Sequence, residues 1–125
     1  MTTSAINWFE IPVINLERAT AFYQSLLATE LRIEDCSGMQ LAVFPYEQEK
    51  GIGGALMVMP EHSPNTHGSI VYLNAGDSLN ATLARLDHTC AKVLLAPVAL
   101  PDNMGFFAHI LDSEGNRVGL HAFNA

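Results

Sequence analysis

The apolar positions of this chain change period along its length, and the changes mark out elements. Residues 6 to 13, Ile-Asn-Trp-Phe-Glu-Ile-Pro-Val, are rich in aromatic and β-branched types and predict a strand. Asn15 follows as a helix N-cap, with Glu17 near the positive end of the helix dipole. From Glu17 to Leu27 the residues Ala19, Phe22, Tyr23, Leu26 and Leu27 recur at helical spacing. Strand-like stretches are then expected around Leu31 to Glu34, from Met39 to Pro45 and from Gly53 to Met59. Residues 60 to 68, with two prolines and a glycine, read as a linker. Beyond it the order recurs: a strand from Ser69 to Leu73, then a helix capped by Asp77 or Ser78 with Leu79, Leu83, Leu86 and Cys90 along one stripe. A short strand follows over Lys92 to Ala96, then a loop over Pro97 to Gly105. Phe106 to Leu111 and Arg117 to Phe123 close the chain as a hairpin, whose turn Asp112-Ser113-Glu114-Gly115-Asn116 suits positive-φ positions.

Each half thus reads β-α-β-β-β, about residues 5–60 and 68–125, and a repeated order of elements implies a repeated architecture. Ala19-Thr20 matches Ala81-Thr82, each a few residues past a cap, and Gly54-Ala55-Leu56 resembles Gly119-Leu120-His121. Neither half buries both faces of its sheet alone. The expected fold is α+β, a single domain over 1–125 in which two βαβββ modules form one curved mixed sheet, with a concave cleft inside and helices outside.

Composition narrows the function classes. At 125 residues with 49% apolar and 15% charged side chains, the chain builds a sizeable core. The sparse charge suggests that a second copy covers part of the surface, so a homodimer is expected. A net charge of -7 with six Lys plus Arg argues against nucleic acid and against anionic membranes, both of which need clustered cations. No apolar run approaches the roughly 20 residues of a membrane span. Met1-Thr2-Thr3-Ser4 does not open a secretory signal, and Cys36 and Cys90 form no disulfide framework. A cytoplasmic protein with reduced thiols is expected, Cys90 as a small core residue.

The stretch from Trp8 through Asn15-Leu16-Glu17-Arg18-Ala19 to Phe22-Tyr23, with the ending Phe107-Ala108-His109-Ile110-Leu111-Asp112-Ser113-Glu114-Gly115-Asn116-Arg117-Val118-Gly119-Leu120, resembles the vicinal-oxygen-chelate superfamily of glyoxalase I, bleomycin-binding proteins and extradiol dioxygenases. Ser113 stands where that superfamily usually carries proline. The resemblance implies four metal ligands, His, Gln or Glu, from inward-facing strand positions, two per module. Counted from the two motifs, these fall on Phe9, within Gly54 to Met57, on Ser69 or Ile70, and on Gly119. None offers a carboxylate or imidazole, whereas a divalent ion needs three or four donors converging at about 2 Å. No cofactor is therefore expected and a divalent metal is disfavoured. The bleomycin-binding branch supplies the precedent, since it sequesters a ligand without catalytic metal.

If Gly119 faces the cleft, so do Arg117, His121 and Phe123, while Val118, Leu120 and Ala122 face the helices. Arg117 and His121 then supply a cation and an imidazole, or else sit solvated at the strand rim. Phe9, Met57 and Phe123 are the expected walls. Glu10 falls opposite Phe9, and a structural hydrogen bond is preferred there over a role in the cleft. His109 is a further candidate for contact with the ligand, although a lone histidine among apolar neighbours is more often a satisfied structural residue; Tyr72 could present its hydroxyl to a ligand, but a half-buried strand tyrosine is the commoner case. His62 and His67 match no rigid ligand spacing. The expected function is binding of a small, partly apolar molecule without the usual metal. The alternatives are a metal-dependent lyase, isomerase or dioxygenase using a relocated site from His67, His109, His121 or Glu10, and a pure interaction module.

Overall fold

The computed structural model describes residues 4–125; Met1 to Thr3, part of the stretch read for a secretory signal, lie outside them. The first module comprises β1 (Trp8–Pro12), α1 (Leu16–Leu27), β2 (Arg32–Cys36), β3 (Met39–Val43) and β4 (Gly53–Met57). The second comprises β5 (Tyr72–Asn74), α2 (Leu79–Leu83), β6 (Lys92–Ala99), β7 (Phe106–Leu111) and β8 (Arg117–Ala122). The α+β duplication read from the sequence is the observed architecture. Hydrogen bonding divides the strands into two four-stranded sheets, ordered β1-β4-β3-β2 and β5-β8-β7-β6, rather than one continuous sheet. The orders are equivalent under the duplication, and in each the first strand runs parallel to the fourth.

Asn15 caps α1 as expected, its Oδ1 accepting from the Arg18 N–H at 2.9 Å. Ala28 ends the helix in the left-handed region at φ 53°, and no basic residue lies in the last turn. Arg85 of the second module serves there instead, its Nε donating to the Leu26 carbonyl at 3.0 Å. Ser78 caps α2, but that helix is only one turn long. Leu86 is still buried, in the turn that follows, whereas Cys90 is exposed rather than a core residue. The stripe continued in sequence after the backbone had left the helix. β6 runs through Pro97, read as loop, because it is an edge strand with irregular register between Val93 and Leu95 and between Leu95 and Val98. Edges and irregularities are where a sheet tolerates proline.

The core lies between the sheets and the two helices. Ile11, Tyr23, Leu26, Leu56, Leu79, Ile110 and Leu120 are all at most 4% exposed. What joins the modules is polar. The turn between β7 and β8 sends three side chains, Asp112, Glu114 and Asn116, into the interior, each at most 7% exposed. Asp112 accepts from Tyr23 Oη at 2.6 Å and from the N–H groups of Glu114 and Asn116. Burial and the neighbouring Asp112 carboxylate hold the Tyr23 phenol well above its ordinary pKa, so it stays a donor. Asn116 donates to the Pro12 carbonyl at 2.8 Å and accepts from the Asn65 N–H of the linker. Glu114 accepts from the N–H groups of Ile14 and Asn15, both at 2.9 Å, and forms a two-point ion pair with Arg18 at 2.7 and 2.9 Å. Ser113, in the place of a proline, donates to the same carboxylate.

Burial alone raises the Glu114 pKa, but the Arg18 guanidinium and the three other N–H and O–H donors overcome it and bring the carboxyl down to about 2. The folded chain therefore binds this proton more weakly than the unfolded chain. Its contribution, on the order of 3 kcal/mol, is complete above pH about 4.5 and is lost as pH falls towards about 2. Glu114→Ala should cost about 2–3 kcal/mol in urea denaturation at neutral pH and flatten this acid limb; Glu114→Gln, which keeps an acceptor, should cost less.

Candidate functional site

Strand alternation assigns a helix-facing side and an open side to each sheet. In β1, Ile11 is buried against the helices, and Phe9 shares its side, packing on Phe44 at 5.6 Å, which in turn packs on Tyr23. Phe9 is therefore not on the open face, as the count from the helix cap suggested. A shift of one residue exchanges the faces of a strand. Trp8 and Glu10 occupy the open side, so Glu10, expected opposite a cleft-facing Phe9, faces the seam instead, and Trp8 Nε1 donates to its Oε2 at 3.3 Å. On β8 the expected alternation holds: Val118, Leu120 and Ala122 are buried, while Arg117 and His121 are half-exposed.

Each module sets an aromatic ring on a glycine of the open face. Trp8 pairs in register with Gly53 and, with Tyr46, covers it; Tyr72 pairs with Gly119 and covers it. A β-carbon at Gly53 or Gly119 would overlap those rings. The parallel register makes these pairs equivalent between modules, so Tyr72, and not Ser69 or Ile70, corresponds to the β1 position in the second half. Phe9 lies on Gly54 in the same way, but on the helix-facing side.

Two cavities open along the seam between modules. One, about 730 Å³, is lined chiefly by apolar side chains, among them Phe9, Phe44, Ile52, Ile70, Val71 and Tyr72. The other, about 210 Å³, is more polar and brings Glu10 of β1 against Arg117 of β8, His62 and Asn65. Ser69 and Val71, leading into β5, line both.

On the open face of the second sheet, Tyr72, His109 and Arg117 are connected. Tyr72 Oη lies 2.7 Å from His109 Nε2, and Arg117 Nε donates to His109 Nδ1 at 3.1 Å. His109 is 7% exposed. Burial, and then the adjacent guanidinium, lower its pKa below the usual histidine value, so it is neutral at neutral pH. His109, a ligand-binding candidate with a preferred structural reading, and Tyr72, read mainly as a half-buried strand residue, are joined by nothing but the register across β5, β8 and β7. His121, expected as a cleft anchor, has its Nε2 2.7 Å from the Met104 carbonyl and so holds the loop before β7. Phe123 is 70% exposed, edge-on to His121, and forms no wall. Met57, half-exposed at the end of β4, lines neither cavity.

The donor set does not suit the superfamily's metal. The open-face positions of β1, β4, β5 and β8 hold Trp8 and Glu10, Gly53, Ala55 and Met57, Tyr72, and Arg117, Gly119 and His121. His121 is already engaged, Glu10 bonds to Trp8, and among the described residues no three His, Cys, Asp or Glu side chains converge. The relocated cluster of His67, His109, His121 and Glu10 is not assembled.

A sequence model of the Glyoxalase/Bleomycin resistance protein/Dioxygenase superfamily matches residues 5–120. The chain belongs to that superfamily. Among solved structures it is similar to a glyoxalase/bleomycin resistance protein from Streptomyces sp. CB03234, at 23% identity over 94% of this chain and 99% of that one, with a TM-score of 0.67. A protein of the same description from Albidiferax ferrireducens T118 has 15% identity, coverage of 95% and 98%, and a TM-score of 0.70. A Zea mays glyoxalase I mutant gives 21% identity and a TM-score of 0.69 over 94% of this chain, which spans 46% of that one. These likenesses are of fold. No curated protein matches the sequence. Among the described residues no helix is long and apolar enough to cross a membrane.

The His109 ring should titrate below the ordinary histidine range in an NMR pH series, and Arg117→Met should raise that value while burial keeps it depressed. Gly119→Ala should displace the Tyr72 ring, abolish the Tyr72–His109 contact and cost about 1–3 kcal/mol of stability.

Proposed function

We propose that the protein binds a small, partly apolar molecule in the seam between its two modules and does so without the superfamily's metal. The observation that carries this reading is the cavity of about 730 Å³, walled by Phe9, Phe44, Ile70 and Tyr72. Its size and apolar lining suit a small organic ligand, with a few polar groups at hand for orientation. The smaller cavity beside it, with Glu10 and Arg117, offers polarity but too little volume to enclose such a ligand alone. Aromatic and glycine residues at the open-face positions favour contact with an apolar body over metal ligation.

A second copy is part of the same proposal. Ile33, Met39, Val93 and Val98 are exposed on strands, and apolar area of this kind is commonly covered by a partner. Light scattering on purified protein should then return twice the chain mass.

A thermal-shift screen of small aromatic and aliphatic compounds tests the binding reading, because a ligand selective for the native state raises its melting temperature. Hits are expected with the native chain and should be weakened in Ile70→Trp, whose larger side chain narrows the cavity at one wall. Absence of any hit, or hits that are equal in this variant, would overturn it.

A further inference from the structure

The hydrogen-bonded chain through His109 has a direction. The Arg117 guanidinium is always protonated, so its Nε donates and His109 Nδ1 accepts, at 3.1 Å. A neutral imidazole with Nδ1 accepting carries its proton on Nε2. That N–H meets Tyr72 Oη at 2.7 Å, so the tyrosine oxygen accepts and its own O–H points elsewhere. Among the described residues nothing accepts from the Tyr72 O–H, and Arg117 makes no ion pair and no further side-chain hydrogen bond beyond His109. Two donors are thus left on the open face of β5 and β8, Tyr72 bordering the larger cavity and Arg117 the smaller one beside it, where Ser69 and Val71 line both, on a protein whose overall charge is negative. The ring that carries one of them also forms a wall of the apolar cavity.

We propose that Tyr72 and Arg117 form an anchor for an acceptor oxygen of the ligand, a carboxylate borne on an apolar body. His109 is a positioning residue: held in one tautomer by Arg117, it makes the tyrosine hydroxyl a donor towards the ligand and not towards the protein. The only charge facing Arg117 across its own cavity is Glu10, with His62 beside it. Glu10 already accepts from Trp8 and makes no ion pair with Arg117, so it sets a limit on anion affinity without filling the anchor. This assignment rests on the proposed small-molecule seam and names the chemistry of what enters it.

Nitrogen-15 NMR of the full chain with benzoate, benzyl alcohol and benzylamine as probes tests it. Benzoate should perturb the Tyr72, His109 and Gly119 signals, with benzyl alcohol weaker and benzylamine weakest. Tyr72→Phe and Arg117→Met, each first shown to keep the native spectrum, should weaken benzoate about tenfold and leave benzyl alcohol unchanged, and Glu10→Gln should strengthen benzoate. The His109 ring nitrogens should report the Nε2–H tautomer in the native chain and lose that preference in Arg117→Met. Equal binding of benzoate and benzyl alcohol, insensitive to either variant, would overturn the anchor while leaving the apolar seam standing. An Nδ1–H tautomer would overturn it without any ligand. If no probe perturbs the seam, both the seam and the anchor fall.

Discussion

The structure depends on one buried polar turn. Asp112, Glu114 and Asn116 leave the β7–β8 hairpin of the second module and end on Tyr23, Arg18 and the backbone of residues 12 to 15 in the first. Burying two carboxyl groups and an amide is costly unless every lone pair and proton is matched. The turn supplies some of these partners itself, but Tyr23, Arg18 and the backbone of residues 12 to 15 supply the others, so its energetic demand is met in full only when the two halves are in register. Apolar packing between helix and sheet tolerates sliding; this cluster does not. It fixes the start of β8 against the end of β1, and that junction lines the smaller of the two cavities.

The strand positions that face the open side hold rings laid over glycines, Trp8 on Gly53 and Tyr72 on Gly119. A glycine beneath a ring is a requirement of shape, because any side chain there would lift the ring. The duplication is therefore visible in packing as well as in topology. Polarity is concentrated in the second module, where Tyr72 reaches across Gly119 to His109 on β7. The first module has Trp8 and Glu10 at the corresponding place, a donor and acceptor that satisfy one another. The asymmetry leaves one half as wall and the other as the source of free donors.

Much of the fold was legible because periodicity reports burial. The α1 stripe, its Asn15 cap, the linker near residue 64 and the closing hairpin all follow from local pattern, and the repeated order of elements revealed two modules. α2 and β6 were less legible, since a five-residue helix and a strand carrying Pro97 depend on tertiary support. The site was legible in part. Arg117 was placed on the open face by strand alternation, whereas Glu10 was assigned to the helix side and lies on the open one. Phe9 was assigned to the wrong face because its parity hung on a count from the cap, and one residue reverses it. His109 and Tyr72 lie 37 residues apart and meet only through register. The turn Asp112 to Asn116 carried its shape in its glycine, but the destinations of its side chains were encoded in Arg18 and Tyr23, roughly 90 residues earlier in the chain.

The separation of this fold from its usual metal is the most consequential claim. It is tested most directly by elemental analysis of protein purified without an affinity tag, together with titration of nickel, zinc and manganese while melting temperature is followed. The expected result is no stoichiometric divalent ion, no loss of stability on chelation and no stabilisation by any of the three metals at micromolar concentration. One tightly held divalent ion per chain, removable by chelator with a fall in melting temperature, would contradict it.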